Sequence, residues 1–463
     1  REKTSVRSYV SVDKATILKD GTLRLTLSRS LVDHPLRDQE IADLYAIARE
    51  TLPRKYAQYR KKLSLYSDKK PIEYYKSRYY VNKRDEKAVK DHRKYAGAKH
   101  ELLAAPLVKR ASSPNKPSSG LQNRHIALWQ SHGWYYEQSL KRWEWQRARV
   151  LETVEDLYTQ SYVVPFLVPM LENAGAVVML PRERDWNVNE VIVDNDASGN
   201  GYRESGFWTA APDSAFANPK SSYLYLENPF RMGTARLSDP EDDESSYASW
   251  IPDIPSDGEY AVYVSYQSIP RSTTAAQYEV RHTGGSTRFL VNQQMGGGTW
   301  IYLGRFGFRK GSHKGQGVFL TNKGKGVLTA DAVKFGGGMG NMARKPLEVK
   351  EGDFEVEAEI SGYPRFTEGS RYWLQWAGFN DTIYSRNRGA TDYNDDYMSR
   401  GLWVNTLSDG SYLKPDKEGY NIPLDLSFAF HTDAGTTMND SIVGTLSIYT
   451  RLSNDDETYP NKE

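Results

Sequence analysis

His125–Asp185 decides the fold. It opens HIALWQSHGWYY (125–136), continues through VEDLYTQSYVVPFLVPMLENAGA (154–176), and ends VVMLPRERD (177–185). A short apolar run stops at Gln130-Ser131-His132-Gly133. Carboxylates then lead a run with helical spacing, Gly175 stops it, and a second apolar run ends in an arginine-rich tip. This predicts a β-loop-α-β unit. It sets His132 at the C-terminal end of the first strand, where open α/β sheets place their sites.

The sequence downstream supplies a partner. Leu424, Leu426, Phe428 and Phe430 alternate in PLDLSFAFHTDAG, predicting a strand that ends at His431. Asp392–Asn405 suits a helix and Gly444–Tyr449 another strand. Between the two histidines, from Val191 to Phe335, short runs such as Tyr260–Val264, Thr287–Val291 and Thr299–Leu303 alternate with turn signals such as Asp257-Gly258 and Gly296-Gly297-Gly298. That pattern predicts an antiparallel sandwich. The expected architecture is an α/β domain split by an inserted β-sandwich, with a small N-terminal α+β region. The boundaries are 1–120 for the N-terminal region, 121–190 and 339–463 for the split halves, and 191–338 for the insertion.

Within the N-terminal region, Leu23–Leu27 alternates like a strand. Asp33-His34-Pro35 starts a helix whose apolar face is Ile41, Leu44, Tyr45 and Ala48. From Arg54 to Arg110, eighteen Lys/Arg face six Asp/Glu, with eight interleaved tyrosines. This is read as a contact for an anionic polymer or, preferentially, as a solvated arm whose tyrosines pack on the body. Residues 111–120, ASSPNKPSSG, read as a linker.

Composition narrows the chemistry. The chain has 463 residues, a net charge of +2 and no cysteine. Disulfides, thiolate zinc sites and cysteine nucleophiles are therefore excluded, and a bound metal must rest on His, Asp or Glu. The small net charge gives no argument for nucleic acid. No apolar run approaches the ~20 residues of a membrane span. The opening Arg1-Glu2-Lys3 reads as a processed or trimmed N-terminus.

Two strand-end histidines with a carboxylate from the intervening helix would form a three-ligand metal site with an open position for water. Glu155, 23 residues after His132, is the leading carboxylate, and Glu152 and Asp156 compete with it.

The order of these pieces resembles the zinc-dependent N-acetylmuramoyl-L-alanine amidases of amidase type 3. The carrying residues are Ser131-His132-Gly133, Glu155, Ala174-Gly175-Ala176, Val177–Leu180, Arg182–Asp185, Arg400 to Asn405, Ser427–Ala434 and Gly444–Tyr449. The resemblance implies Zn2+ on His132, Glu155 and His431. It implies cleavage of the amide between lactyl-muramic acid and L-alanine in peptidoglycan, in the periplasm, at the outer membrane or outside the cell. The sequence departs from the family motif at Ser131 and Trp134, where glycines are expected. The family's second catalytic glutamate, a general base, is expected beyond Glu463. Glu457 and Glu463 lie in a polar tail and are not assigned that role. The expectation is a fragment or an inactive molecule.

The insertion resembles the golvesin/xanthan-lyase carbohydrate-binding-like module of Bacteroidetes proteins labelled xanthan lyases. Ala276–Val280, His282–Gly285, Val291–Gln294, Gly298–Trp300 and Ala330–Phe335 carry that likeness. It implies glycan as a partner. Trp250 and Trp300 either stack sugars or, as favoured, fill the core. Arg184 and Arg400 either bind substrate carboxylates or, as favoured, hold the fold. The rival functions are a non-catalytic glycan-binding surface protein and a polysaccharide lyase.

Overall fold

The computed structural model describes residues 10–32, 36, 38–76, 105–112, 120–149, 152–197, 199, 201–240, 245–347 and 356–432. The chain forms two compact units, one from residues 1–103 and 451–463, the other from 104–450.

In the first unit the alternation of Leu23–Leu27 becomes a strand with Leu23, Leu25 and Leu27 buried. It pairs antiparallel with Val12–Ile17 and parallel with Leu63–Ser67. The helix is Asp38–Thr51, with Ile41 buried and Leu44, Tyr45 and Ala48 packed on the leucine core. Its expected start at 33–35 lies outside the described residues. So do residues 77–104 of the basic stretch. Its first part, Arg54–Lys76, lies on the unit's core through Tyr56, Tyr59 and Tyr75.

In the second unit, the expected parallel strands form. Leu426–Phe430, His125–Gln130 and Val177–Met179 lie side by side in that order, all parallel. One sheet face, through Ile126, Leu128 and Val178, packs on Val163 and Val168 of the helical run 155–173. Burying each such side chain contributes ~1.5–3 kcal/mol. That run is helical over Glu155–Tyr162, widens into a π turn at Val163–Leu167, and resumes at Val168–Asn173. The π turn contains Pro165, which has no N–H for the regular ladder. Gly175 ends the run at φ +103°, and a Cβ there would sit 2.9 Å from Gln122 Cα. The Asp392–Ser408 helix contributes Trp403 and Leu407 to the larger core, together with Ala127 of the central strand.

Between Val191 and Phe335 the strands are antiparallel. A six-stranded sheet runs Tyr202–Ser205, Tyr247–Trp250, Gly317–Thr321, Ala276–His282, Gly285–Val291 and Val108–Arg110. Val191–Val193, Val333–Phe335, Gly258–Val264 and Ile301–Phe308 form a four-stranded sheet. Trp250, Tyr260, Val262, Tyr278 and Phe335 lie in the core. Val108–Arg110, which the sequence reading assigned to the N-terminal region, is therefore an edge strand of this β-rich part. The alternation at Phe354–Ile360 does not yield a strand among residues 356–360. Only Glu359 bridges, to Arg344. Tyr372–Trp376 lies within a buried helix, Ser370–Trp376. The expected strand at 444–449 lies outside the described residues. No helix among the described residues is long and apolar enough to cross a membrane.

The tip after Val177–Met179 joins these layers. Lys334 and Glu183, both fully buried, pair at 2.7 Å, and Tyr263 also donates to Glu183. Breaking a buried pair from one side leaves a charge without its partner. Glu183→Ala should therefore lower stability by ~3–5 kcal/mol, read as the urea unfolding midpoint. A Glu183→Leu, Lys334→Met double variant should recover most of that loss.

A second buried charge gives a pH signature. Burial pushes the Asp194 carboxyl up to about 7, and burial with the neighbouring Asp194 charge pushes Asp331 well above the carboxylate range. An unfolded aspartate titrates near ~3.9. Between those values the folded chain holds protons that the unfolded chain has lost, so their contribution falls as pH rises from about 4 to 7. Relative to wild type, Asp194→Asn should gain on the order of 1–3 kcal/mol between pH 4.5 and 7.5 in urea titrations.

Candidate metal centre

The strand register brings the two histidines together. Phe430 is paired with Gln130, so the chain leaves both strands at the same level. Ser131 then takes a left-handed φ of 50°, a conformation that favours glycine. It is held there by its N–H on the Phe430 carbonyl (2.8 Å) and by Arg400 Nη1 on its own carbonyl (3.0 Å). His132 follows, 4% exposed. Gly133 passes so close to 368–369 that a Cβ would lie 2.5 Å from Glu368 C and Gly369 N.

Ligand atoms of His132, Glu155 and His431 all lie within 4.8 Å of one another. Glu155 is the first residue of its helix, and its carboxylate sits between the rings. Its Oε2 is 3.6 Å from His132 Nδ1 and its Oε1 is 3.3 Å from His431 Nδ1. The ring centroids are 4.8 Å apart. With metal–ligand bonds of ~2.0–2.2 Å, tetrahedral ligands lie ~3.3–3.6 Å apart; each histidine stands at that spacing from a different Glu155 oxygen, Oε2 for His132 and Oε1 for His431. Glu152, one of the competing carboxylates, is not in the group. Asp156, the other, is fully buried, with Oδ1 3.5 Å from His132 Nδ1.

The electrostatics keep the donors in ligand form. Burial lowers the His132 pKa, and Arg400 and Arg147 lower it further, against the raising effect of Asp156. Burial would raise the Glu155 carboxyl, but hydrogen bonds from His431, Ser131 and the Thr432 N–H, with the His132 charge, hold it at about 2. Ser131 Oγ lies 2.8 Å from His132 Nδ1, and the Thr432 N–H donates to Glu155 Oε1 at 2.9 Å.

Arg147 is the site residue that sequence reasoning missed. Its Nη2 is 2.9 Å from His132 Nε2, its Nε 3.6 Å from Glu155 Oε2, and its Nη1 donates to Tyr393 Oη at 2.9 Å. It follows a hairpin of Trp134–Glu137 and Arg142–Trp145. Two aromatic runs around Gln138–Lys141 were a readable hairpin signal.

The four residues proposed for substrate contact are committed to the fold. Arg184 is buried, paired to Glu172 at 2.7 Å, bonded to the Val178 carbonyl and stacked 3.9 Å over Tyr302. Arg400 is buried and bound to Ser131 and Asp396. Trp250 is 1% exposed, with its indole N–H on the Asp331 carbonyl. Trp300 is buried against Phe216 and Phe230. Neither tryptophan presents a face to a sugar.

Residues 191–337 match the Golvesin C-terminal domain family. A xanthan lyase of Bacillus sp. (strain GL1) is 32% identical over 149 residues, 31% of this chain and 14% of that protein. The chain thus spans a small part of this curated relative's length. Among solved structures, Paenibacillus xanthan lyase is 27% identical, covering 32% of this chain and 13% of that one, with a TM-score of 0.27. The C-terminal CBM6 of the laminarinase LamC from Zobellia galactanivorans is 13% identical, covering 32% and 99%, with a TM-score of 0.21. Residues 191–337 are a golvesin-type, xanthan-lyase-like module. His132, Glu155 and His431 lie outside it.

Gly133→Ala tests the local geometry. The added methyl must push back the backbone at 368–369, so stability should fall by at least ~1–3 kcal/mol. Thermal melts of the variant beside wild type measure that loss.

Proposed function

We propose that this chain is a glycan-directed zinc hydrolase of the cell envelope. Zn2+ would be held by His132, Glu155 and His431, and the scissile bond would be the amide between muramic acid and L-alanine in peptidoglycan. The convergence of two histidines just past the ends of parallel strands with a glutamate at a helix start carries this reading. The golvesin-type module supports the glycan-directed part.

The donor set suits zinc: two imidazoles, a carboxylate and no thiolate. When bound, the ion would supply Lewis-acid polarisation and a water of lowered pKa. The chain's own residues do the positioning. Ser131 and the Thr432 N–H orient His132 and Glu155, as outer-shell partners of metal ligands do. Arg147 brings a positive charge to the same rim, suited to negative charge developing on a cleaved carbonyl.

The match over 191–337 favours a second reading, a non-catalytic glycan-binding protein that keeps the fold. Zinc analysis separates the two. The purified chain should hold about one zinc, lost in His132→Ala and His431→Ala. It should also free L-alanine amino termini from purified sacculi. Absence of both zinc and cleavage would sink the hydrolase. An ultraviolet-absorbing unsaturated product from xanthan would point to a lyase instead.

A further inference from the structure

Beside the metal centre, and outside the golvesin-type module, three aromatic rings gather at the surface. Trp134 and Trp145 are register partners across the hairpin, their ring centroids 4.7 Å apart at 73°. Tyr363, from a separate loop, lies 4.7 Å from Trp134 at 38° and 6.1 Å from Trp145. Tyr363 is 42% exposed, and both tryptophans are only partly buried. The exposed apolar side chains Ile360 and Met339 belong to the same chain neighbourhood, Met339 bridging Pro364.

The cluster is fixed before any ligand arrives. The Gly369 N–H donates to the Trp134 carbonyl at 2.9 Å, and the Gly340 N–H donates to the Tyr363 carbonyl at 2.9 Å. The Tyr363 N–H donates to Ser361 Oγ at 3.2 Å. Ligand contact therefore costs little ordering of these backbones. Trp134 stands two residues after His132, so its Cα lies within ~7 Å of the ligand histidine's. The family pattern has glycine at this position, and the tryptophan builds a surface that a glycine would not.

We propose that Trp134, Trp145 and Tyr363 form a sugar-stacking shelf that receives one pyranose ring of a glycan strand next to the metal centre. This rests on the hydrolase reading for its substrate. The chemistry fits a sugar better than a charged peptide. Tyr363 offers an exposed phenol ring for the C–H face of a pyranose, with the two half-buried indoles packed beside it and no charged group among the three. Trp134 follows His132 by two residues, so one stretch of chain supplies both the shelf and a residue of the candidate metal site. It is also distinct from the module's tryptophans, Trp250 and Trp300, whose faces are covered.

The experiment is a titration of the full chain with chitohexaose, followed by tryptophan fluorescence and calorimetry. Tyr363→Ala and Trp145→Ala should each weaken binding about tenfold. Trp186→Ala, an exposed tryptophan elsewhere (46%), should leave it unchanged. Circular dichroism confirms that each variant is folded, and Trp145→Phe, which keeps a ring, should retain most of the affinity if Trp145→Ala unfolds. His132→Ala should still bind, which separates this test from that of the hydrolase. Zinc-free protein that binds through these rings would keep the shelf and remove the hydrolase. Undetectable chitohexaose binding, or equal affinity in wild type, Tyr363→Ala and the folded Trp145 variant, would overturn the shelf.

Discussion

The second unit depends on where it puts the Arg182 guanidinium. This side chain is 1% exposed, and burial lowers its pKa to about 10. A buried cation is tolerated only when its N–H groups are met. Arg182 meets them with the Gln130 carbonyl at the end of the central strand, Gln160 Oε1 on the helix that begins with Glu155, and the carbonyls of Phe366, Thr367 and Glu368. One residue therefore ties the strand that delivers His132, the helix that delivers Glu155 and the loop against which Gly133 packs. Its neighbours extend the knot. Glu183 takes Lys334 and Tyr263, Arg184 takes Glu172, and Asp185 accepts the Ala261 N–H at 2.7 Å.

This explains why arginines that resemble substrate-binding groups are structural. Arg182 and Arg184 lie just past a short strand, between a three-stranded parallel sheet and a β-rich layer. Charged groups there must be paired or exposed, and the chain pairs them. Lys334 comes from the golvesin-type module, so that module completes the charge pairing of the tip. The metal centre and the module share a core through these contacts.

Much of this was legible from spacing. The alternation in Leu424–Phe430 and the apolar run at His125–Gln130 gave two strands, and their C-terminal histidines followed. Glu155 was legible because its helix starts between the strands. Period and punctuation reveal such features because they are local. The hairpin before Arg147 is signalled only by two short aromatic runs, Trp134–Tyr136 and Trp143–Trp145, on either side of a turn. The roles of Trp250, Trp300, Arg184 and Arg400 could not be fixed by sequence, since burial depends on contacts from distant residues such as Asp331, Phe216, Glu172 and Ser131.

The two histidines are not equivalent, and the difference gives the centre a direction. The His132 side chain is 5% exposed, enclosed by Ser131, Asp156 and Arg147. The His431 side chain is 32% exposed and touches the cluster through Glu155 and the His132 ring. Glu155 joins the two sides, since Thr432, next to His431, donates its N–H to the same oxygen that faces His431. The His431 side is therefore the more exposed side of the cluster. The His132 side is set by the Arg182 knot and by the close pass of Gly133. That division follows from the strand register, which sets both histidines at one level, while among the described residues only His125–Gln130 has a strand on each side.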